Sequence, residues 1–130
     1  MNIAQKIMEI YILTETMVNS CPKDMPITKL KVLSLLYECK FAEPQFLIGK
    51  LGLKKPNLTK VCNELLADNF IVKLDNNHDK RGILYKITKL GEEKISQLLQ
   101  SINNRFWDDS KNTSTVNTLQ TLSEVLNKKI

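Results

Sequence analysis

The feature that most limits what this chain can fold into lies between residues 43 and 69, where two short apolar stripes at helical spacing flank Gly52. In the first, Pro44 falls in the opening turn, Leu47, Ile48 and Leu51 face inward, and Gly52 supplies the left-handed residue that closes a helix. In the second, Pro56 can take the first helical position. Leu58, Val61, Cys62, Leu65 and Leu66 then form one stripe, while Pro56, Thr59, Lys60, Asn63 and Ala67 share the opposite face. Two short helices joined by a tight turn after a glycine make a helix-turn-helix, and its second helix has the geometry to enter a major groove.

Beyond residue 69 the hydrophobic period changes. After Asn69, which tolerates the left-handed conformation of a helix end, come the β-rich runs Ile71–Leu74 and Ile83–Ile87. A polar, basic loop, Asp75–Gly82, lies between them, so this part reads as a hairpin or wing. Upstream, Asn2 and Gln5 resemble a capping box for a helix running to Asn19. The segment Cys21–Pro26 stops it, and Thr28 is placed to cap a second helix that carries Val32, Leu33, Leu36 and Tyr37 and ends near Cys39. Downstream of Thr88, Leu90, Ile95, Leu98, Leu99, Ile102 and Phe106 predict a long amphipathic helix. Residues 108–113 are a polar joint before a last helix with Val116, Leu119, Leu122, Val125 and Leu126. Lys128 and Lys129 suit the C-terminal end of its dipole.

At 130 residues, 42% hydrophobic and 25% charged, the chain has the size and balance of one folded domain rather than a disordered or multidomain protein. No apolar run approaches a membrane span, and no basic region followed by an apolar one marks an export signal. Cys21, Cys39 and Cys62 lack the close spacing of a zinc or dithiol motif. The expectation is a reduced, cytoplasmic protein without metal or cofactor. With His78 the single histidine and no paired carboxylates at a catalytic spacing, the chain does not read as an enzyme.

The formal charge of +5 is unevenly placed. Residues 1–39 sum to zero, residues 40–94 carry +4 and residues 95–130 carry +1. Lys50, Lys54, Lys55 and Lys60 stand in one block without an acid, and Lys80, Arg81, Lys86 and Lys89 stand in another. Lys54 and Lys55 fall at a helix N-terminus, where each positive charge opposes the macrodipole by about 0.3–1 kcal/mol. Docked phosphates would reverse that sign, because free N–H groups and ammonium groups both favour an anion. The plainer alternative is a solvated lysine face.

In order and spacing, several of these segments resemble the MarR family of winged-helix transcriptional regulators. They are Ile27–Leu33, the Leu51-Gly52-Leu53 turn, the helix over 55–69, the wing Asp79-Lys80-Arg81-Gly82 and the following Ile87-Thr88-Lys89-Leu90-Gly91. Asp79 and Arg81 match the family's D-x-R wing. Ile87, Thr88 and Gly91 match its L-T-x-x-G helix start, with Ile in place of Leu. Two departures stand out: Lys54-Lys55-Pro56-Asn57 where relatives commonly place hydroxyls, and Asn69 where glycine is usual. The resemblance implies a mainly α fold with a small β-hairpin wing, a winged helix-turn-helix flanked by dimerisation helices. It also implies a homodimer on a pseudo-palindromic operator, released by a small, often phenolic or other aromatic, ligand or by cysteine oxidation.

On this reading residues 1–26 form an N-terminal dimerisation helix, residues 27–95 the winged DNA-binding unit, and residues 96–130 the C-terminal dimerisation helices. The expected DNA-binding residues are Lys54, Lys55, Pro56, Asn57, Thr59, Lys60, Asn63, Lys80 and Arg81. Asn can pair in bidentate fashion with adenine, Lys can donate to guanine and the Thr methyl can touch thymine, while any of these residues can instead meet only phosphate. Arg81 is suited to a narrow minor groove, with Asp79 orienting its guanidinium. Its bland reading is a surface Asp79–Arg81 pair worth about 0–1 kcal/mol. Tyr11, Met17, Tyr37 and Phe41 are candidates for a ligand cleft, or else plain core. The function expected is that of a sequence-specific DNA-binding transcriptional regulator, with repression as its mode. A winged-helix protein-interaction module and a cysteine-based redox sensor are the alternatives.

Overall fold

The computed structural model describes residues 2–21, 24–75, 82–107 and 112–130. Asn2 opens α1 (Ile3–Ser20) with a reciprocal capping box, accepting from Gln5 N at 2.8 Å while Gln5 Oε1 accepts from Asn2 N at 3.0 Å. Helix α2 (Ile27–Cys39) starts earlier than a Thr28 cap would place it. Pro26 is the N-cap, its carbonyl accepts from Leu30 N at 3.0 Å, and Thr28 lies within the first turn. Proline fits there because the cap needs extended backbone and no donor of its own.

Lys40 ends α2 with φ 74, and Phe41–Ala42 then form β1, a strand too short for any period to announce it. Helix α3 (Pro44–Leu51) closes on Gly52, whose φ of 64 aims its N–H at the Ile48 carbonyl, 2.9 Å away. Helix α4 (Lys55–Ala67) takes Lys54 as N-cap, so Pro56 is its second residue rather than its first. The amide there would also lack a helical partner, so proline costs nothing. Strands β2 (Ile71–Asp75) and β3 (Ile83–Ile87), then helices α5 (Lys89–Phe106) and α6 (Thr113–Lys129), complete the described elements. The sheet is antiparallel in the order β1-β3-β2, with Phe41 opposite Lys86 and Ile71 opposite Ile87. This is the expected mainly α fold with a small wing sheet.

Helix α2 runs through the centre, against α3, α4, α5 and the sheet. Leu33 and Leu36 from α2, Leu47 from α3, Leu58 and Leu65 from α4, Ile71 from β2 and Ile95 from α5 are all fully buried. Truncating any one of these leucines to alanine removes packed methyl groups and leaves a cavity, at a cost of about 2–5 kcal/mol.

The join between wing and α5 explains its motif. Thr88 is the N-cap of α5: its hydroxyl oxygen accepts from Gly91 N at 3.0 Å and its hydroxyl donates to the Asn69 carbonyl at 2.7 Å. Thr88 N in turn donates to the Phe70 carbonyl at 3.0 Å, which draws that carbonyl onto the first turn of α5. A Cβ on Gly91 would fall on the Phe70 carbonyl oxygen, so only glycine fits. Asn69 adopts φ 63, the left-handed conformation its identity allows.

The two end helices differ from the rest. Neither α1 nor α6 buries a single residue, yet both expose large apolar side chains, among them Met8, Ile12 and Leu13 on α1 and Val116, Leu119 and Val125 on α6. Phe106 and Trp107, at the end of α5, are 38% and 39% exposed.

Candidate nucleic-acid interface

Helix α4 is amphipathic because its two faces have different tasks. Leu58, Val61, Cys62 and Leu65 are buried against the core, and this fixes the roll of the helix. Pro56, Asn57, Thr59, Lys60 and Asn63 consequently face solvent together, with Lys54 and Lys55 exposed at the helix start. Lys55, Pro56, Thr59, Lys60 and Asn63 share one shallow surface depression. Thr59 donates its hydroxyl to the Lys55 carbonyl at 3.0 Å, leaving its methyl group and an acceptor lone pair to offer a ligand.

The start of α4 has no side-chain cap and no acid in its first turn. The backbone N–H groups of Lys55 and Asn57 therefore face outward at the positive end of the dipole, beside two ammonium groups. A fold built for stability alone would place Asp or Ser there. An anion is what the arrangement suits.

Two contacts pin the helix from behind. Lys29 of α2 reaches Glu64 at 3.1 Å and Asp68 at 3.7 Å, tying down the C-terminal half of α4 and pairing Glu64, which also borders the depression on the exposed face, with a cation from behind. Tyr85 of β3, 4% exposed, hydrogen-bonds the fully buried Cys62 thiol and so joins α4 to the wing sheet. Burial outweighs that bond and pushes the Cys62 thiol up to about 11. Burial also pushes Cys39 up, so both thiols stay protonated at neutral pH, the opposite of a reactive sensor. Sequence periodicity could place Cys62 on the apolar stripe, but it carried no signal for either cross-element contact.

On the wing strands β2 and β3, Lys73 and Lys86 are exposed. Asp79, Lys80 and Arg81, the wing residues expected to reach a groove, lie outside the described residues. Lys73, on a strand exposed from Val72 to Asp75, is a further cation near the wing loop that the sequence reading did not single out.

The cleft candidates separate. A cavity of about 500 Å³ lies between α1, α2, α5 and the end of α3, with Tyr11 in its wall. Met17 is half-buried elsewhere on α1, Tyr37 packs against the core with the Lys40 ammonium 5.0 Å from its ring centre, and Phe41 sits on β1, 56% exposed. The residues that do line the cavity include Thr14, Val18, Leu30 and Leu35. Among the described residues there is no cluster of metal-ligating side chains and no helix long and apolar enough to cross a membrane.

Residues 19–98, which contain the whole helix-turn-helix and wing, match the family model of the transcriptional regulator SarA/Rot. The chain belongs to the SarA/Rot family of transcriptional regulators. Among curated proteins, this SarA/Rot chain is 29% identical over 107 residues to the multiple antibiotic resistance protein MarR of Salmonella typhimurium, covering 82% of the chain and 74% of the relative. Its fold matches apo MarR from E. coli with a TM-score of 0.73 at 24% identity, covering 100% and 97% of the two chains. It also matches a mutant MarR complexed with operator DNA at 0.67, with 23% identity and coverage of 98% and 92%. NadR in complex with 4-hydroxyphenylacetate matches at 0.74, with 19% identity and coverage of 98% and 89%. The MarR resemblance read from the wing and helix-start motifs is thus borne out. The relatives are regulators of transcription rather than enzymes.

Proposed function

We propose that this protein is a homodimeric, cytoplasmic repressor that reads a pseudo-palindromic DNA operator. In this reading α4 enters the major groove. Asn57, Thr59, Lys60 and Asn63 face base edges, Lys54 and Lys55 hold phosphate, and Lys80 and Arg81 reach the flanking minor groove with Asp79 orienting the arginine. The observation that carries it is the uncapped, acid-free start of α4, held outward by a buried stripe. The operator complex known for a MarR relative supports the same use of this fold. Residues 1–26 and 96–130 serve as the dimerisation helices around the winged unit 27–95, because α1 and α6 expose apolar faces and bury nothing within one chain. The 500 Å³ cavity is then the place for a small aromatic effector, as the NadR complex suggests by analogy.

The test separates phosphate from base contacts. Lys54→Ala and Lys55→Ala should weaken binding to all duplexes alike, and each should lower the slope of log K against log salt by about one per half-site. Asn63→Ala should cost about 1–3 kcal/mol on the preferred duplex and little on others. Duplex binding that ignores both salt and these substitutions would favour a protein-interaction role for the exposed α4 face.

A further inference from the structure

The charges around the cavity between α1, α2 and α5 point to a particular kind of occupant. The cavity floor is apolar, built from Val18, Leu30, Leu35, Leu99 and Ile102. At its rim stand Glu15 from α1, and Lys31 and Glu38 from α2. Lys31, Ser34 and Glu38 follow one another at spacings that keep them on one face of α2, and Tyr11 and Glu15 do the same on α1. Among the described residues none of Glu15, Lys31 and Glu38 is in an ion pair. Two carboxylates against one ammonium leave a net negative mouth over an apolar floor. Helix ends act in the same sense. Asn19 in the last turn of α1 and Leu51 at the end of α3 bring two carbonyl-rich C-termini to the wall, opposed by the single N-terminus of α2 at Ile27. The Tyr11 ring adds an electron-rich face.

We propose that this cavity takes an amphipathic organic cation, an aromatic body bearing an amine, rather than an aromatic acid. The proposal rests on the effector reading above and specifies its ligand class. The aromatic body covers Leu30, Leu35 and Leu99, the ammonium lies between Glu15 and Glu38, and Tyr11 flanks it. A carboxylate ligand such as the 4-hydroxyphenylacetate bound by NadR would meet the same two glutamates with only Lys31 in its favour. A cavity of about 500 Å³ is within the size range of small-molecule sites.

Tryptamine and indole-3-acetate carry the same ring system with opposite charges, so calorimetric titration of each into the intact protein isolates the charge preference. Tryptamine is expected to bind at least about tenfold more tightly, and Glu15→Gln with Glu38→Gln to bring the two within about twofold. Lys31→Gln should strengthen tryptamine binding, and thermal melts of each variant confirm that it is folded. Indole-3-acetate binding equally well or better would overturn the cationic class while leaving an effector site in place. Failure of both probes to bind a folded, duplex-binding protein would overturn the effector reading together with this proposal. A change in dimer mass in the glutamine double variant, without a change in probe binding, would assign the cavity to a second copy of the chain and overturn the proposal as well.

Discussion

Gly91 shows how a single residue can be fixed by its neighbours' backbone. The Phe70 carbonyl receives Thr88 N at 3.0 Å and occupies the space where a side chain would begin. Gly91→Ala is therefore expected to destabilise the protein by about 3 kcal/mol, seen as a fall in the urea midpoint, because backbone rather than a flexible side chain must move. A loss below about 0.5 kcal/mol would mean that the join is looser than described. Cys62 makes a different prediction. Its thiol is pushed up to about 11 in the folded protein, against an ordinary value of 9.0, so the folded state disfavours the thiolate. Unfolding thus becomes easier as pH rises from about 9 towards 11, and Cys62→Ala should flatten that alkaline limb. At this scale the sequence was partly legible. The apolar stripe identified Cys62 as interior and the helix-start motif singled out Gly91, but the reason for the glycine lies in a carbonyl distant in sequence.

At the scale of elements, the orientation of α4 depends on what holds it from behind. Lys29 is 18% exposed and faces Glu64 and Asp68, whose side chains are 42% and 46% exposed, so solvent screens the pairs and limits their worth to about 0–1 kcal/mol. Lys29→Met should consequently change stability little, yet lower duplex affinity by up to about tenfold, since α4 loses the contact that sets its C-terminal half. Equal affinity in a fluorescence anisotropy titration would show that Lys29 does not orient the helix. The ion pair between α5 and the segment before α2 behaves differently with pH. The Lys94 ammonium hydrogen-bonds Asp24 at 2.7 and 2.9 Å and holds its carboxyl below the ordinary 3.8. Its contribution is present above pH 3.8 and disappears as pH falls through the lowered folded value, so Asp24→Asn should reduce the steepness of acid unfolding. Helix limits were legible to within a residue or two because caps and apolar stripes are local signals. Strand β1 was not, since two residues have no period, and it is defined by the pairing of Phe41 and Ala42 with Lys86 and Tyr85. The same missing strand explains why Phe41, expected at a cleft, lies on the sheet instead.

The whole molecule ties charge placement to symmetry. Apolar faces on α1 and α6 that no described residue covers are what the proposed pairing with a second copy would bury, and a two-fold pair would carry two α4 helices. Light scattering at micromolar concentration should give twice the 14.9 kDa chain mass, and Leu13→Glu with Leu119→Glu should shift it towards the monomer. The cavity was less legible than the interface. Periodicity marks which residues face inward, but not which inward faces leave a gap, so the sequence reading named Tyr11 of the cavity wall and none of Glu15, Lys31 and Glu38. The central claim is that paired α4 helices read sequence, and selection from random duplexes at physiological salt tests it most directly. The expected result is an enriched palindrome whose half-sites lie about one helical turn apart. Recovery of duplexes with no shared sequence, or of none above background, would contradict it.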